Sequence, residues 1–350
     1  MLGWACAAIT MDFERIGDRS LKIHLVGLRE TALRAMVELH RVAEPALHVL
    51  VDDPESADII LFVGGWQAHG EGVVESPLPK KYPDKCFSYF DDDGFVPLLP
   101  GIYTNAEKPG WLDLGRAESH MFIDALNPNI VPVPNAEKKY LFSFAGGSTS
   151  LLRKKLYKID YGRDDVRVKN TSDYYHWDPS QEGRDARQKE YAATIASSHF
   201  GLCPRGASAG GLRLFEVMQM GVAPVMVSDK FRLPDGPEWN HFLIDVPERK
   251  LRELPQILEK YQGQSAERGR LARLAWEQYF APPAMFNGLV AVCVRERERR
   301  KISERWVQPL WGFMLWRRRA YNSSRAMLKT AVLWVFKVLR LRFVYEMNTR

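Results

Sequence analysis

Arg205, Arg213 and Glu216 sit close together near the middle of the chain, with residue types and spacing that can do chemistry. The two guanidinium groups are planar forks that match phosphate oxygens. Glu216 follows Arg213 by three positions, so on a helix the two share a face. Gly206-Ala207-Ser208-Ala209-Gly210-Gly211 lies between the arginines. A small-residue turn that opens a helix leaves backbone N–H groups unpaired at the positive end of the helix dipole, an arrangement that attracts anions. A carboxylate beside it can accept two hydrogen bonds from a ribose. Together these groups describe a site for a nucleoside diphosphate. Taken alone, Arg213 and Glu216 also fit a surface i,i+3 pair worth about 0.2–0.5 kcal/mol, and a Gly-rich turn by itself is a weak signal.

The flanking residues supply the elements such a site needs. Phe200–Cys203 is a short apolar run stopped by Pro204, and it predicts a buried strand. Leu212, Phe215 and Met218 recur at helical spacing, with Gly221 placed for a C-cap. Ala223–Val227 is a second apolar run, ending in Ser228-Asp229. Strand, turn, helix and strand make one βαβ unit. Upstream, Lys139–Ala145 predicts a strand, Gly146-Gly147-Ser148 a turn, and Leu151 onward a helix carrying Arg153, Lys154 and Lys155.

In the N-terminal part, strands are predicted at 21–27, 47–51 and 59–63, with a helix over 30–42. Further on the pattern predicts a strand at 166–168, a helix over 187–197 and a strand at 242–246. Helices follow at 250–262, kinked or broken at Pro255, and at 265–280. Strands alternating with helices predict an α/β fold with parallel sheets, whose ligands gather at the strand C-terminal ends.

The ordered series Phe200-x-Leu-x-Pro-Arg-Gly, Arg213-x-x-Glu216, Gly221-x-x-Pro224-Val225, Ser228-Asp229, Leu233-Pro234 and Trp239 resembles the exostosin family of glycosyltransferases, family 47. The resemblance implies a GT-B fold, two Rossmann-like domains facing across a cleft. It also implies inverting, metal-independent transfer from a nucleotide sugar, UDP-linked by preference, to a saccharide in glycan or polysaccharide synthesis. Donor-binding residues then expected are Gly146, Gly147, Arg153, Arg205, Gly206, Arg213 and Glu216. No cofactor and no metal ligand are expected. The motif fixes neither donor sugar nor acceptor, and the N-terminal half resembles the family only faintly.

That half must supply the base for the acceptor hydroxyl. His69, in the polar loop after the third strand, and Asp92 are the candidates, and a solvated loop histidine is the plainer reading of His69. Asp91-Asp92-Asp93 also satisfies the DxD pattern of metal-dependent transferases, in which carboxylates in series hold a cation against a diphosphate. An acidic turn closing a strand is the commoner meaning of such a triplet. The aromatic loop Tyr174-Tyr175-His176-Trp177-Asp178 could stack on a sugar or a base, or pack on its own domain.

Domain limits follow from composition. An extension spans 1–20, an acceptor-side domain 21–138, a donor domain 139–290 and a basic, aromatic tail 291–350, with Pro/Gly/Asn-rich sequence marking the linker near 130–139. The formal charge of +6 hides an asymmetry: residues 295–350 hold 15 Lys/Arg against 4 Asp/Glu, leaving the remainder at −5. That argues against a basic nucleic-acid-binding core and for one basic appendage, and no nucleic-acid partner is expected, a basic-tailed nucleic-acid binder being a third option. Four scattered cysteines, Cys6, Cys86, Cys203 and Cys293, fit a reducing compartment. The N-terminus reads as an extension rather than a signal peptide. Tryptophans beside Lys/Arg over 306–345 fit a helix lying on an anionic membrane, or one docked on its own protein. The expected location is the cytoplasm, peripheral on a membrane's inner face, with a saccharide acceptor that the tail would allow to be lipid-linked. The rival reading from another class is a non-catalytic nucleotide- or glycan-binding partner of a synthase.

Overall fold

The computed structural model describes residues 20–65, 71–108, 115–124, 126–173, 182–317 and 320. Two parallel sheets organise the compact unit that ends at Lys301. The first contains β1 (Lys22–Gly27), β2 (Val49–Leu50), β3 (Ile59–Val63), β4 (Cys86–Phe90), β5 (Gly101–Tyr103) and β6 (Ala117–Glu118). Their spatial order is β2-β1-β3-β4-β5-β6. The second contains β7 (Tyr140–Gly146), β8 (Val166–Asn170), β9 (Ser198–Pro204), β10 (Ala223–Val227) and β11 (Ile244–Asp245), ordered β11-β10-β9-β7-β8. Two α/β lobes with parallel sheets are the GT-B arrangement anticipated from sequence.

Connecting helices are α1 (Glu30–Arg41), the short α2 (Glu71–Glu75) and α3 (Leu78–Lys81), α4 (Leu151–Leu156), α5 (Arg184–Ala196), α6 (Arg213–Met220), α7 (Leu254–Glu259), α8 (Ser265–Tyr279) and α9 (Pro282–Arg299). Strands covered on both faces read as unbroken apolar runs. Accordingly β3, β4 and β10 are buried along their whole length. One hydrophobic cluster is continuous through both lobes, from Ile23, Met36 and Tyr89 through Phe286 and Leu289 to Phe280 and Phe215. A second, around Phe142, Phe144, Phe200 and Val225, fills the other face of the second sheet.

Three features depart from the sequence pattern. Strands β5 and β6 form inside a stretch rich in Pro, Gly and Asn, where only loop is predicted. Gly101 enters β5 at φ 134°, and a Cβ there would lie 2.4 Å from the Ser88 carbonyl oxygen. The strand therefore depends on a glycine, a residue that ordinarily argues against one. Pro255 starts α7 instead of kinking a longer helix, and a short 3-10 stretch, Glu248–Glu253, precedes it. Proline in the first helical turn forfeits no intrahelical bond. Finally, α9 runs unbroken through positions 290 and 291, where a domain limit is expected. Every residue from Leu289 to Val294 is buried, and the helix runs on from there into the charged stretch.

Helix α9 belongs by packing to the first lobe. The Glu44 N–H donates to the Pro283 carbonyl at 2.9 Å, Asn287 Nδ2 donates to the Pro45 carbonyl at 2.8 Å, and Phe286 meets the His40 ring edge-on at 4.9 Å. The chain thus crosses from first lobe to second between β6 and β7, and returns after α8. The described residues from Ile302 onward belong to a separate unit. The N-terminal extension up to residue 19 and the amphipathic segment 326–345 lie outside the described residues. Among those described, no helix is long and apolar enough to cross a membrane.

Candidate active site

In the second sheet the strand order reverses direction between β7 and β9, and ligands in doubly wound folds bind in the crevice beyond such neighbouring strand ends. A cavity of about 340 Å³ opens there. Its wall includes Gly146 and Gly147 after β7, Pro204, Arg205 and Gly206 after β9, and Arg213 and Glu216 of α6. Asp93, Phe122 and Asn127 reach it from the first lobe, so the cavity lies between the lobes.

Local sequence explains how the cationic groups are aimed. Ser150 caps α4, accepting the Arg153 N–H at 3.2 Å and donating its hydroxyl to the Arg205 carbonyl at 3.1 Å. That ties the turn after β7 to the turn after β9. Arg153 then folds across both turns. Its Nε and Nη2 donate to the Pro204 carbonyl at 3.2 and 3.0 Å, and its Nη1 donates to the Gly147 carbonyl and Thr149 Oγ1 at 3.3 Å each. Arg213 approaches from α6, its Nη2 donating to the Ala145 carbonyl. Both guanidinium groups lie over one ring, Phe144, at 4.6 Å for Arg213 and 5.3 Å for Arg153. Gly146 makes room for this, since a Cβ would stand 3.2 Å from both terminal nitrogens of Arg213.

The charges in this corner are unequal. Arg205 is already forked by Glu248, at 2.5 Å for Nε and 2.9 Å for Nη2, so less of its charge is left for a phosphate than the sequence suggests. Lys169 is matched by Glu190 at 2.6 and 2.7 Å. Arg153 has no carboxylate partner among the described residues. Burial, and then the nearby Arg213 guanidinium, pull it down to about 10. Two close guanidinium groups resting on carbonyls, a hydroxyl and a ring hold net positive charge that a dianion would neutralise.

Glu216 is buried in α6, and Arg213 does not touch it directly. The Tyr191 hydroxyl of α5 stands between them, donating to Glu216 Oε2 at 2.6 Å and accepting from Arg213 Nε at 3.0 Å. Burial raises the Tyr191 phenol well above its ordinary value, so it stays protonated and able to donate. Tyr191 is the site residue that sequence reasoning passed over. Its only signal was a lone aromatic in the helix, and nothing in the spacing pointed it at Glu216. Gly206 packs against Arg153, a Cβ there meeting Nη2 at 3.3 Å. Gly210 instead seats Phe231, whose ring would be 2.3 Å from an added Cβ.

On the first-lobe side the three aspartates part company. Asp91 is buried and bound by Arg29, which also donates to Asp124 at 2.8 Å. Asp92 is buried, its carbonyl accepting from Asn105 Nδ2 at 2.9 Å, and its carboxylate lies near Gly65. Asp93 alone of the three lines the cavity. Asp91 is therefore committed to a guanidinium, while Asp93 faces the cavity. Among the described residues no three His, Cys, Asp or Glu side chains are grouped to hold a metal ion. His69 and the aromatic loop 174–178 lie outside the described residues.

Residues 123–261 match the family model of the Exostosin GT47 domain. The chain is similar to Exostosin-1 of Drosophila melanogaster, 31% identical over 46% of this chain and 23% of that protein. It is also similar to the Exostosin-1 homolog of Caenorhabditis elegans, 33% identical over 35% of each. The chain thus spans about a quarter to a third of the length of these relatives. A solved alpha1,3-fucosyltransferase overlays 80% of this chain and 91% of its own at a TM-score of 0.38 and 11% identity, too slight an overlap to bear on the site.

Proposed function

We propose that the protein is a glycosyltransferase that moves a sugar from a nucleotide sugar, UDP-linked, to a saccharide acceptor, inverting the anomeric centre without a metal ion, a reading supported by the match of residues 123–261 to the Exostosin GT47 domain. The observation that carries this reading is the pair Arg153 and Arg213. They share the Phe144 ring at the carboxyl ends of β7 and β9, and no carboxylate partners Arg153 among the described residues.

In this reading the donor diphosphate lies across the turns after β7 and β9. As the bond from C1 to the phosphate oxygen breaks, its electron pair passes to the diphosphate. Fixed guanidinium groups on that oxygen lower the barrier because they need no reorganisation as charge grows. Glu216 Oε2 is taken by Tyr191, which leaves the other carboxylate oxygen for ribose hydroxyls. The acceptor hydroxyl attacks C1 from the face opposite the leaving group while a first-lobe base removes its proton. Asp93, which lines the cavity, is the first-lobe candidate for that base beside His69, whereas Asp92 is buried and does not line the cavity.

The experiment is a thermal-shift panel of nucleotide sugars, followed by transfer assays with and without EDTA. Binding at a hundredfold excess over Kd adds about 2.7 kcal/mol of stability. One donor should stand out, and NMR of the product should show the inverted anomer. Stabilisation by every nucleotide sugar and by pyrophosphate alike, with no transfer, would favour a non-catalytic binder. Loss of transfer on EDTA treatment would remove the metal-free mechanism.

A further inference from the structure

The unit beginning at Ile302 shows an exposed apolar face. Its 3-10 turns, Glu304–Trp306 and Gln308–Leu310, lead into a helix from Trp311. Val307 and Trp311 are buried, at 2% and 7% exposure, so this element already has one apolar side covered. A second side is open: Trp306 is 77% exposed, Leu310 50%, Phe313 52% and Trp316 62%. The Phe313 and Trp316 rings stack on each other at 5.9 Å. Among the described residues, every tryptophan or phenylalanine of the exposed class lies in this stretch. Scattered exposed aliphatics are ordinary, but a contiguous aromatic face marks an interaction surface.

The charges around it select the partner. Arg305 and Arg317 flank the face, both exposed and neither in an ion pair among the described residues. Arg318 and Arg319 follow in sequence, and the whole stretch 295–350 carries an excess of +11. Tryptophan and phenylalanine rimmed by arginine is the composition that settles at an anionic bilayer surface, with rings at the headgroup boundary and guanidinium groups on phosphates. Pairing with the same face of a second copy would set arginine against arginine.

We propose that Trp306, Leu310, Phe313 and Trp316, with Arg305 and Arg317, dock this protein on an anionic lipid surface. The inference stands on the exposed aromatic face and its charges, independently of the transferase reading.

Flotation of the full-length chain tests it, using vesicles of phosphatidylcholine alone and vesicles containing phosphatidylserine. The wild type should float with the anionic vesicles and not with the neutral ones, with a blue shift of tryptophan emission. A triple variant, Trp306→Ser, Phe313→Ser and Trp316→Ser, should lose about tenfold or more in partitioning. Arg305→Gln and Arg317→Gln should each lose about fivefold. The single variant Trp306→Ser, at the most exposed position, serves if the triple variant misfolds by circular dichroism. Wild-type protein that stays behind with both vesicles, or aromatic variants that bind as well as wild type, would overturn the proposal. So would a concentration-dependent dimer in sedimentation that the triple variant abolishes, since that would give the face to a second copy.

Discussion

The Tyr191 hydroxyl lies 2.6 Å from Glu216 Oε2, and through it a helix outside the sequence motif sets the geometry of a residue inside it. The Tyr191 hydroxyl oxygen in turn accepts from Arg213 Nε, so one phenol orients both members of the Arg-x-x-Glu pair. Removing it should loosen two groups at once. Tyr191→Phe keeps the ring under Arg213 but strips both hydrogen bonds. Bonds to charged groups are worth about 1.5–3 kcal/mol, so donor affinity should fall roughly 10- to 100-fold by calorimetry while circular dichroism stays unchanged. Unaltered donor affinity would mean that Glu216 is positioned by other contacts.

Arg153 tests the electrostatics of the cavity. Arg153→Met keeps the bulk over Phe144 and removes the charge. Affinity for a nucleoside diphosphate should drop by about 10- to 100-fold, and its salt dependence should flatten. Arg153→Lys should recover only part of it, because an ammonium is a point charge and cannot span Pro204, Gly147 and a phosphate together. Equal affinity in the lysine and methionine variants would contradict this account.

Within the second lobe, α8 packs on the end of α6 by a close backbone approach. A Cβ on Gly269 of α8 would stand 2.3 Å from the carbonyl oxygen of Gly221, the left-handed cap of α6 at φ 75°. Alanine in mid-helix ordinarily stabilises by about 0.5–1 kcal/mol over glycine. At Gly269 the sign should invert, with Gly269→Ala losing about 2–4 kcal/mol in urea unfolding, because the obstacle is backbone and cannot rotate away. A neutral or stabilising result would show that α8 can slide on the Gly221 turn.

A pH dependence comes from α9. Glu296 is 3% exposed, and burial, with Glu118 adding, pushes its carboxyl up to about 7. A carboxyl raised on folding stabilises fully below its unfolded value, near 4.5, and that contribution is lost as pH climbs through about 7. Glu296→Gln should therefore melt higher than wild type above pH 7, by about 1–3 kcal/mol, with the difference vanishing towards pH 4.5. Parallel melting curves across that range would count against the assignment.

How much the sequence disclosed depended on how local each feature was. Strand β9, the glycine turn, α6 and β10 were legible because apolar runs, punctuation and the Gly221 cap agree within one contiguous stretch. Ile59–Val63 was equally plain, since a strand buried on both faces needs nothing but apolar residues. Strands β5 and β6 were not legible: each is only two or three residues long, and Gly101 is there for the sake of Ser88, a neighbour in space. The pairing of Arg205 with Glu248 and the Tyr191 bridge were hidden for the same reason, as each spans elements far apart in sequence. The position of Arg153 beside this turn was legible because its strand, turn and helix are consecutive.

The double passage of the chain between lobes, outward after β6 and back into α9, has a mechanical corollary. Two bodies joined by a single thread can swivel freely, whereas two threads act like a pair of door pins and leave mainly one rotation. Any movement that admits a substrate or lets a product go should then be a swing about the line joining those two passages, with the site opening along its free edge.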